Sequence, residues 1–214
     1  MIVALCVIGG VAEAAAWSLV ARRHVAVWRS LAVVLALMGA AALATGRLAL
    51  SPRVAPAIAV AVGAGAGVAL FVATRLFVAV VSPVWPAFRR HVSAIYGQGG
   101  GWSVGATLLA ALVVEVGEEL FWRGLVRGRL AGSQGRVPGA LLTWAAYMAA
   151  NVPSLNLPIV AGAIVGGAVW GALALWTGGV LGCIVCHAVW TELMIALPPA
   201  AARRGSAHRA TPAT

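Results

Sequence analysis

VVEVGEELFWRGLVRGR, Val113 to Arg129, sets three carboxylates inside an apolar run. The chain has five acidic residues, all Glu, and Glu115, Glu118 and Glu119 fall within five positions here. From Trp102 up to the cluster no other charge interrupts the run. A carboxylate in hydrocarbon costs about 2.5–3.5 kcal/mol on insertion scales. Two adjacent carboxylates in such a place mark a functional site.

Helical spacing divides the cluster. Glu119 and Arg123 stand i,i+4 with the Glu N-terminal, the better orientation for an ion pair. Glu118 points about 100° away from Glu119 by helical pitch. One carboxylate is then neutralised while the other faces elsewhere, where it can act on a water as general base. The plain alternative is a buried Glu–Arg pair that only orients helices. The second adjacent Glu, and Glu115 one turn earlier, weigh toward chemistry.

Working outward, the rest of the chain supplies a membrane setting. Of 214 residues, 62% are hydrophobic and 9% charged, with a mean hydropathy of +0.98. A soluble domain carries about 25% charged residues. A spanning helix needs roughly 20 apolar residues, and the composition predicts an all-α polytopic transmembrane bundle of about seven helices (six to eight). The apolar segments are expected near residues 2–21, 27–46, 54–81, 102–130, 139–152, 158–176 and 179–197. Residues 82–101 mix Trp, Tyr, Arg, Pro and Gly and read as an interfacial segment. Residues 1–101 are expected to form N-terminal helices plus this segment, residues 102–197 a catalytic core, and residues 198–214 a disordered basic tail, within one membrane domain.

Net charge is +10, and the basic side chains other than four His are all Arg. Most lie at the ends of apolar runs (Arg22, Arg23, Arg89, Arg90, Arg203, Arg204), where anionic head groups account for them. No aromatic-interleaved basic face exists, so a nucleic-acid partner is not expected. The first apolar run lacks a charged leader and is too long for a signal peptide, so it reads as a retained helix. With the N-terminus outside, Arg22, Arg23, Arg29, Arg89, Arg90 and the tail Arg collect in the cytoplasm. The outer side still receives Arg47, Arg53, Arg127, Arg129 and Arg136, a modest preference under the positive-inside rule.

Other polar groups recur at helical spacing inside apolar segments. Tyr147 and Asn151 are i,i+4 in the fifth, and His187 and Thr191 in the seventh, followed by Glu192. Interhelical hydrogen bonding alone could explain one such pair, but three helices carry them. Cys183-Ile-Val-Cys186-His187 has the c-type haem attachment pattern. It lies in an apolar run, whereas haem attachment needs an aqueous site, so both Cys are read as packing residues. One intramembrane His with Glu118 makes a thin shell for zinc, so no metal and no cofactor is expected. Trp17, Trp28, Trp85 and Trp102 read as interfacial anchors, and Trp122 and Trp190 as neighbours of the site.

These residues carry a resemblance to the CPBP family: type II CAAX-prenyl endopeptidases and bacteriocin-processing or immunity (Abi) proteins, which are intramembrane glutamic proteases. Glu118-Glu119-Leu-Phe-Trp-Arg123-Gly124 matches the family's E-E-x-x-x-R motif fully. Tyr147-Met-Ala-Ala-Asn151 stands where the family has F-x-x-x-H, with Tyr for Phe and Asn for His. His187-Ala-Val-Trp-Thr191 keeps the His of H-x-x-x-N/D and ends in Thr. The resemblance covers about residues 102–197. It implies that Glu118 activates water for attack on a peptide carbonyl and that Glu119 and Arg123 support it. It also implies that His187, with Thr191, resembles an oxyanion hole. The residue at 151 would hold the water; Asn can position it but cannot accept its proton.

The expected function is an intramembrane, metal-independent endopeptidase acting on a peptide or protein in or at the bilayer, in a bacterial cell membrane. A prenylated substrate is not implied. One alternative is a catalytically degenerate member serving bacteriocin self-immunity or acting as a membrane scaffold. The other is an ion-coupled transporter using Glu118 and Glu119 as its ion site, which predicts repeat symmetry not visible here. Enhanced cleavage by Asn151→His would mark a weakened but real protease site. The protease reading further requires Glu118, Asn151 and His187 to converge on one cavity.

Overall fold

The computed structural model describes residues 2–202 except 24, 26 and 98–101. Among the described residues there are nine α-helices and no strand. They are α1 (Ile2–Arg23), α2 (Val27–Ala44), α3 (Pro56–Val84), α4 (Pro86–Gly97), α5 (Val104–Glu119), α6 (Arg127–Gln134), α7 (Arg136–Asn151), α8 (Leu157–Thr177) and α9 (Leu181–Ala196). A π-helical turn, Leu120–Val126, joins α5 to α6, and a 3₁₀ turn, Val152–Ser154, follows α7. The seven expected segments correspond to α1, α2, α3, the α5–α6 run, α7, α8 and α9. The interfacial segment folds as α4, which raises the helix count without adding a membrane-length element.

The helices α1, α2, α3 and α8 are long and apolar enough to cross a membrane. Their outward side chains include Leu37, Val72, Leu76, Val80 and Val165, all exposed. In water that surface would be a liability; in lipid it is the ordinary outer face of a bundle whose backbone hydrogen bonds are satisfied internally. The chain is an integral membrane protein with Glu13, Glu115, Glu118, Glu119, Arg123 and His187 turned inward.

Small residues set the closest helix contacts. Gly39 of α2 rests on Gly117 of α5, and a Cβ placed on Gly117 would fall 2.1 Å from the Leu35 carbonyl oxygen. Gly63 and Gly67 of α3, a G-x-x-x-G pair, do the same against α9. Their Cβ positions lie 2.5 Å from the Gly182 carbonyl oxygen and 2.7 Å from that of Cys186. Association in lipid relies on such close packing, because there is no hydrophobic drive between helices. The two contacts hold α2 against α5 next to Glu118 and α3 against α9 next to His187.

Loops are pinned by capping. Ser103 Oγ accepts from the Ala106 N–H to start α5, and Asn156 Oδ1 accepts from the Ile159 N–H to start α8. Asn156 Nδ2 also donates to the His91 carbonyl, and His91 Nδ1 accepts from the Leu157 N–H, which ties α4 to the α7–α8 corner. The α2–α3 loop caps α9: Ala49 and Leu50 carbonyls accept from the Val180 and Leu181 N–H groups. The segment expected as tail from residue 198 is ordered through Ala202, which packs with Val78, Phe88 and Val92. Residues 203–214 lie outside the described residues.

Candidate active site

The Glu cluster lies at the junction of α5 and the π turn. Gly117 lets α2 approach, and Glu118 and Glu119 follow at once, both buried. The widened turn from Leu120 to Val126 carries Arg123 inward. Single π turns inside α-helices recur at functional sites.

Arg123 Nη1 donates to Glu119 Oε1 at 3.1 Å, and its Nη2 donates to the Gly167 carbonyl at 3.4 Å. Its guanidinium sits 4.3 Å from the Tyr147 ring centroid and 5.2 Å from that of Trp170, in a cation–π box. This is the ion pair expected from the i,i+4 spacing. A planar, delocalised cation suits that stacked place better than an ammonium. Arg127, assigned from the sequence to the outer side, is buried. It donates to the Arg123 carbonyl at 2.8 Å and to Gly178 at the end of α8. The π turn exposes a carbonyl that a side-chain donor can reach, and no local sequence pattern announces that.

His187 connects both carboxylates. Its Nδ1 lies 3.0 Å from Glu119 Oε1 and 3.8 Å from Glu118 Oε2. The ring stacks on Trp170 with centroids 3.7 Å apart. Glu119 Oε1 therefore receives both Arg123 and His187, while Oε2 has no partner among the described residues. Glu119 is the anchor of the cluster and Glu118 its exposed-facing member.

Glu118, Tyr147, Asn151, His187 and Thr191 all line one cavity of about 440 Å³. Glu119 and Arg123 lie behind this wall and do not line it. The Thr191 hydroxyl has no hydrogen-bond partner among the described residues. The Asn151 amide donates to the Tyr147 carbonyl at 3.0 Å, an i,i+4 back-bond that fixes its rotamer. The cavity extends to the ends of α1, α2 and α5, where Trp17, Trp28 and Trp102 border it. Trp190 also lines it, held by an Nε1–H bond to Thr74 Oγ1 at 3.1 Å. Trp122 does not; it is buried behind the carboxylates.

Trp122 points to a residue that motif reading passed over. Its Nε1–H donates to Glu13 Oε2 at 2.7 Å, and Asn151 Nδ2 donates to Glu13 Oε1 at 3.1 Å. Glu13 is on α1 and fully buried, and through Asn151 it is tied to the wall of the cavity that Glu118 lines. The signal was present: Glu13 is the one charged residue among the twenty from Ile2 to Ala21. The cost that singles out Glu118 in hydrocarbon applies equally to it. What the sequence lacks is the pairing, since 109 residues separate Glu13 from Trp122 and 138 from Asn151.

Cys183 and Cys186 are buried in α9, and Cys183 Sγ contacts the Trp170 carbonyl. Both pack as core residues with free thiols. Among the described residues no group of three His, Cys, Asp or Glu stands close enough to hold a metal ion.

Residues 100–192 match the family model described as type II CAAX prenyl endopeptidase Rce1-like. That match bears out the CPBP resemblance over the segment containing α5 to most of α9. No curated protein and no solved structure matches the chain.

Proposed function

We propose that this membrane protein, built on a CAAX-type endopeptidase core across residues 100–192, is an intramembrane glutamic endopeptidase. The single observation that supports the reading is the meeting of Glu118, Asn151 and His187 on one cavity inside a membrane bundle. Glu118 takes the proton of a cavity water while its oxygen attacks a peptide carbonyl. The negative charge that develops on the carbonyl oxygen needs donors aimed at it. Thr191 offers a hydroxyl with no other partner among the described residues; both Asn151 amide hydrogens are spent on Glu13 and Tyr147, which leaves its Oδ1 to accept from the water. His187 donates toward the cavity through Nε2 when both ring nitrogens carry hydrogen. Glu119, held by Arg123, orients the imidazole through Nδ1.

The cavity is bordered by the end of α1, the start of α2 and the C-terminal half of α4, helices that also carry Arg22, Arg29, Arg89 and Arg90. These are the charges that the positive-inside rule assigns to the cytoplasm, so the substrate enters from that face. Apolar walls with few polar groups suit an extended peptide segment partly in lipid.

The test is cleavage of membrane-anchored, internally quenched peptides by the chain in lipid vesicles. Glu118→Gln is expected to reduce the rate by about 10²–10⁴, the usual worth of an acid–base group. Glu119→Gln should act mainly by loosening His187. Cleavage that survives Glu118→Gln unchanged would falsify the assignment.

A further inference from the structure

The fold supplies partners to its buried carboxyls unequally. Glu119 receives Arg123 and His187, Glu13 receives Trp122 and the Asn151 amide, and Glu118 has His187 Nδ1 at 3.8 Å. Glu115 is 1% exposed, and neither of its oxygens has a hydrogen-bond partner among the described residues. Among them no Arg or His forms an ion pair with it. A buried acceptor left without a donor costs free energy, and more when it is charged. Glu115 also lines the cavity, so a donor can reach it from a bound molecule.

Its depth in the cavity is set by α5. Trp102, Val104 and Thr107 line one end, and Glu115 and Glu118 follow on the same helix. Glu115 stands three residues before Glu118, about 4.5 Å nearer that mouth at the rise of an α-helix. On α9 the same step leads from His187 to Thr191 and on to Met194, whose carbonyl accepts from Tyr96 of α4 at 3.1 Å. A segment that reaches Glu118 from the mouth therefore passes Glu115 first. An extended peptide rises about 3.3 Å per residue, so the side chain beside Glu115 belongs to a residue one or two positions from the scissile carbonyl.

We propose that Glu115 is a specificity-determining residue that binds a basic substrate side chain one or two positions from the cleaved bond. The chemistry selects a guanidinium. Both carboxylate oxygens lack donors, and a planar fork of N–H groups fills both at once, whereas a peptide N–H fills one. The wall around Glu115 is apolar, with Val114 and Ile195 lining it. Water competes poorly for a cation in such a place, so the ion pair discriminates more than it would at a surface. Holding that cation one turn from Glu118 leaves the Glu118 carboxylate free to take the proton of water.

The placement beside the cleaved bond rests on the protease reading; the cation site itself does not, and the experiment separates the two. Membrane-anchored, internally quenched peptides carry one arginine, moved position by position and matched each time by citrulline, which keeps the shape and removes the charge. For the full chain in lipid vesicles, kcat/KM should favour arginine by about 10- to 100-fold at one or two adjacent positions, and should not distinguish the two elsewhere. Glu115→Gln should abolish that preference. Glu192→Gln removes an equal charge from α9, outside the cavity lining, and should retain it. No preference in the wild type, a preference that survives Glu115→Gln, or an equal loss in Glu192→Gln overturns the proposal. If Glu115→Gln does not fold, Glu115→Asp decides. It draws the carboxylate back by one methylene, and a preference unchanged from wild type overturns the site.

Binding gives the second arm. Fluorescence anisotropy of singly labelled peptides on Glu118→Gln in lipid reads affinity apart from cleavage. The arginine peptide should bind about 10-fold or more tightly than its citrulline match, and adding Glu115→Gln should remove the difference. If no form cleaves any peptide while that difference is present, the protease reading fails and the cation site stands. If cleavage proceeds with no preference for arginine, the protease reading stands and the site fails. If neither cleavage nor the difference is seen, both fail.

Discussion

Gly117→Ala replaces a hydrogen by a methyl group at the point where α2 crosses α5. The new Cβ would lie 2.1 Å from the Leu35 carbonyl oxygen and 2.6 Å from its carbon. Real Cβ contacts essentially never fall under 3.0 Å, so the helices must part by about 0.9 Å. Overpacking of this kind costs about 1–3 kcal/mol. Ala also raises helix propensity by about 0.8–1 kcal/mol over Gly, which masks part of the cost. Gly65→Ala is the matched control, because it has the same propensity gain and nothing within 4 Å. The difference between the two variants therefore isolates the clash at about 1–3 kcal/mol. For a chain of this size each kcal/mol moves the melting temperature by roughly 2–4 °C. Thermal unfolding in one detergent should place Gly117→Ala about 2–12 °C below Gly65→Ala. The next two residues are Glu118 and Glu119, so displacement of α5 reaches the site. A misplacement near 1 Å can cost about 10²-fold in rate, which the peptide-cleavage assay reads. Equal melting temperatures and equal rates for the two variants would refute the claim that this glycine contact positions the carboxylates.

Arg123→Met leaves Glu119 buried without its cation and should destabilise the chain by about 3–5 kcal/mol in chemical unfolding. Adding Glu119→Gln should recover part of that loss, because the orphaned charge is then removed. Asn156→Ala removes the cap of α8 and the tie to His91, and is expected to cost about 0.5–2 kcal/mol in the same assay. In the folded protein a membrane-permeant maleimide should label half-buried Cys6 before Cys183 or Cys186. Equal labelling of all three thiols would mean that α9 is not packed as described.

Much of the site was legible because its pieces are close in sequence or repeat at helical spacing. Glu119 with Arg123, Tyr147 with Asn151, and His187 with Thr191 are each i,i+4, and each pair lies on one helix face as the period requires. The match over residues 100–192 coincides closely with the segment those motifs outlined. Two features escaped for definite reasons. Arg127 was assigned only to a side of the membrane, and its burial against the Arg123 carbonyl of the π turn and the Gly178 carbonyl at the end of α8 follows from packing that no local pattern announces. Glu13 drew no comment because it lies alone on its helix, and a lone polar residue has no local partner to identify it.

By itself the sequence determined the solvent and the architecture. Apolar runs of spanning length leave helices as the way to satisfy the backbone in lipid. Carboxylates within such runs are costly enough to imply a shared interior. Only the tertiary structure decided what each carboxylate meets. Glu119 goes to Arg123 and His187, Glu118 to the cavity, and Glu13 to Trp122 and Asn151. That partition depends on how closely α1 approaches the π turn, α2 approaches α5 and α3 approaches α9, contacts made at glycines between helices remote in sequence. Helical periodicity gives the face of each helix; it holds no information on which other helix that face meets.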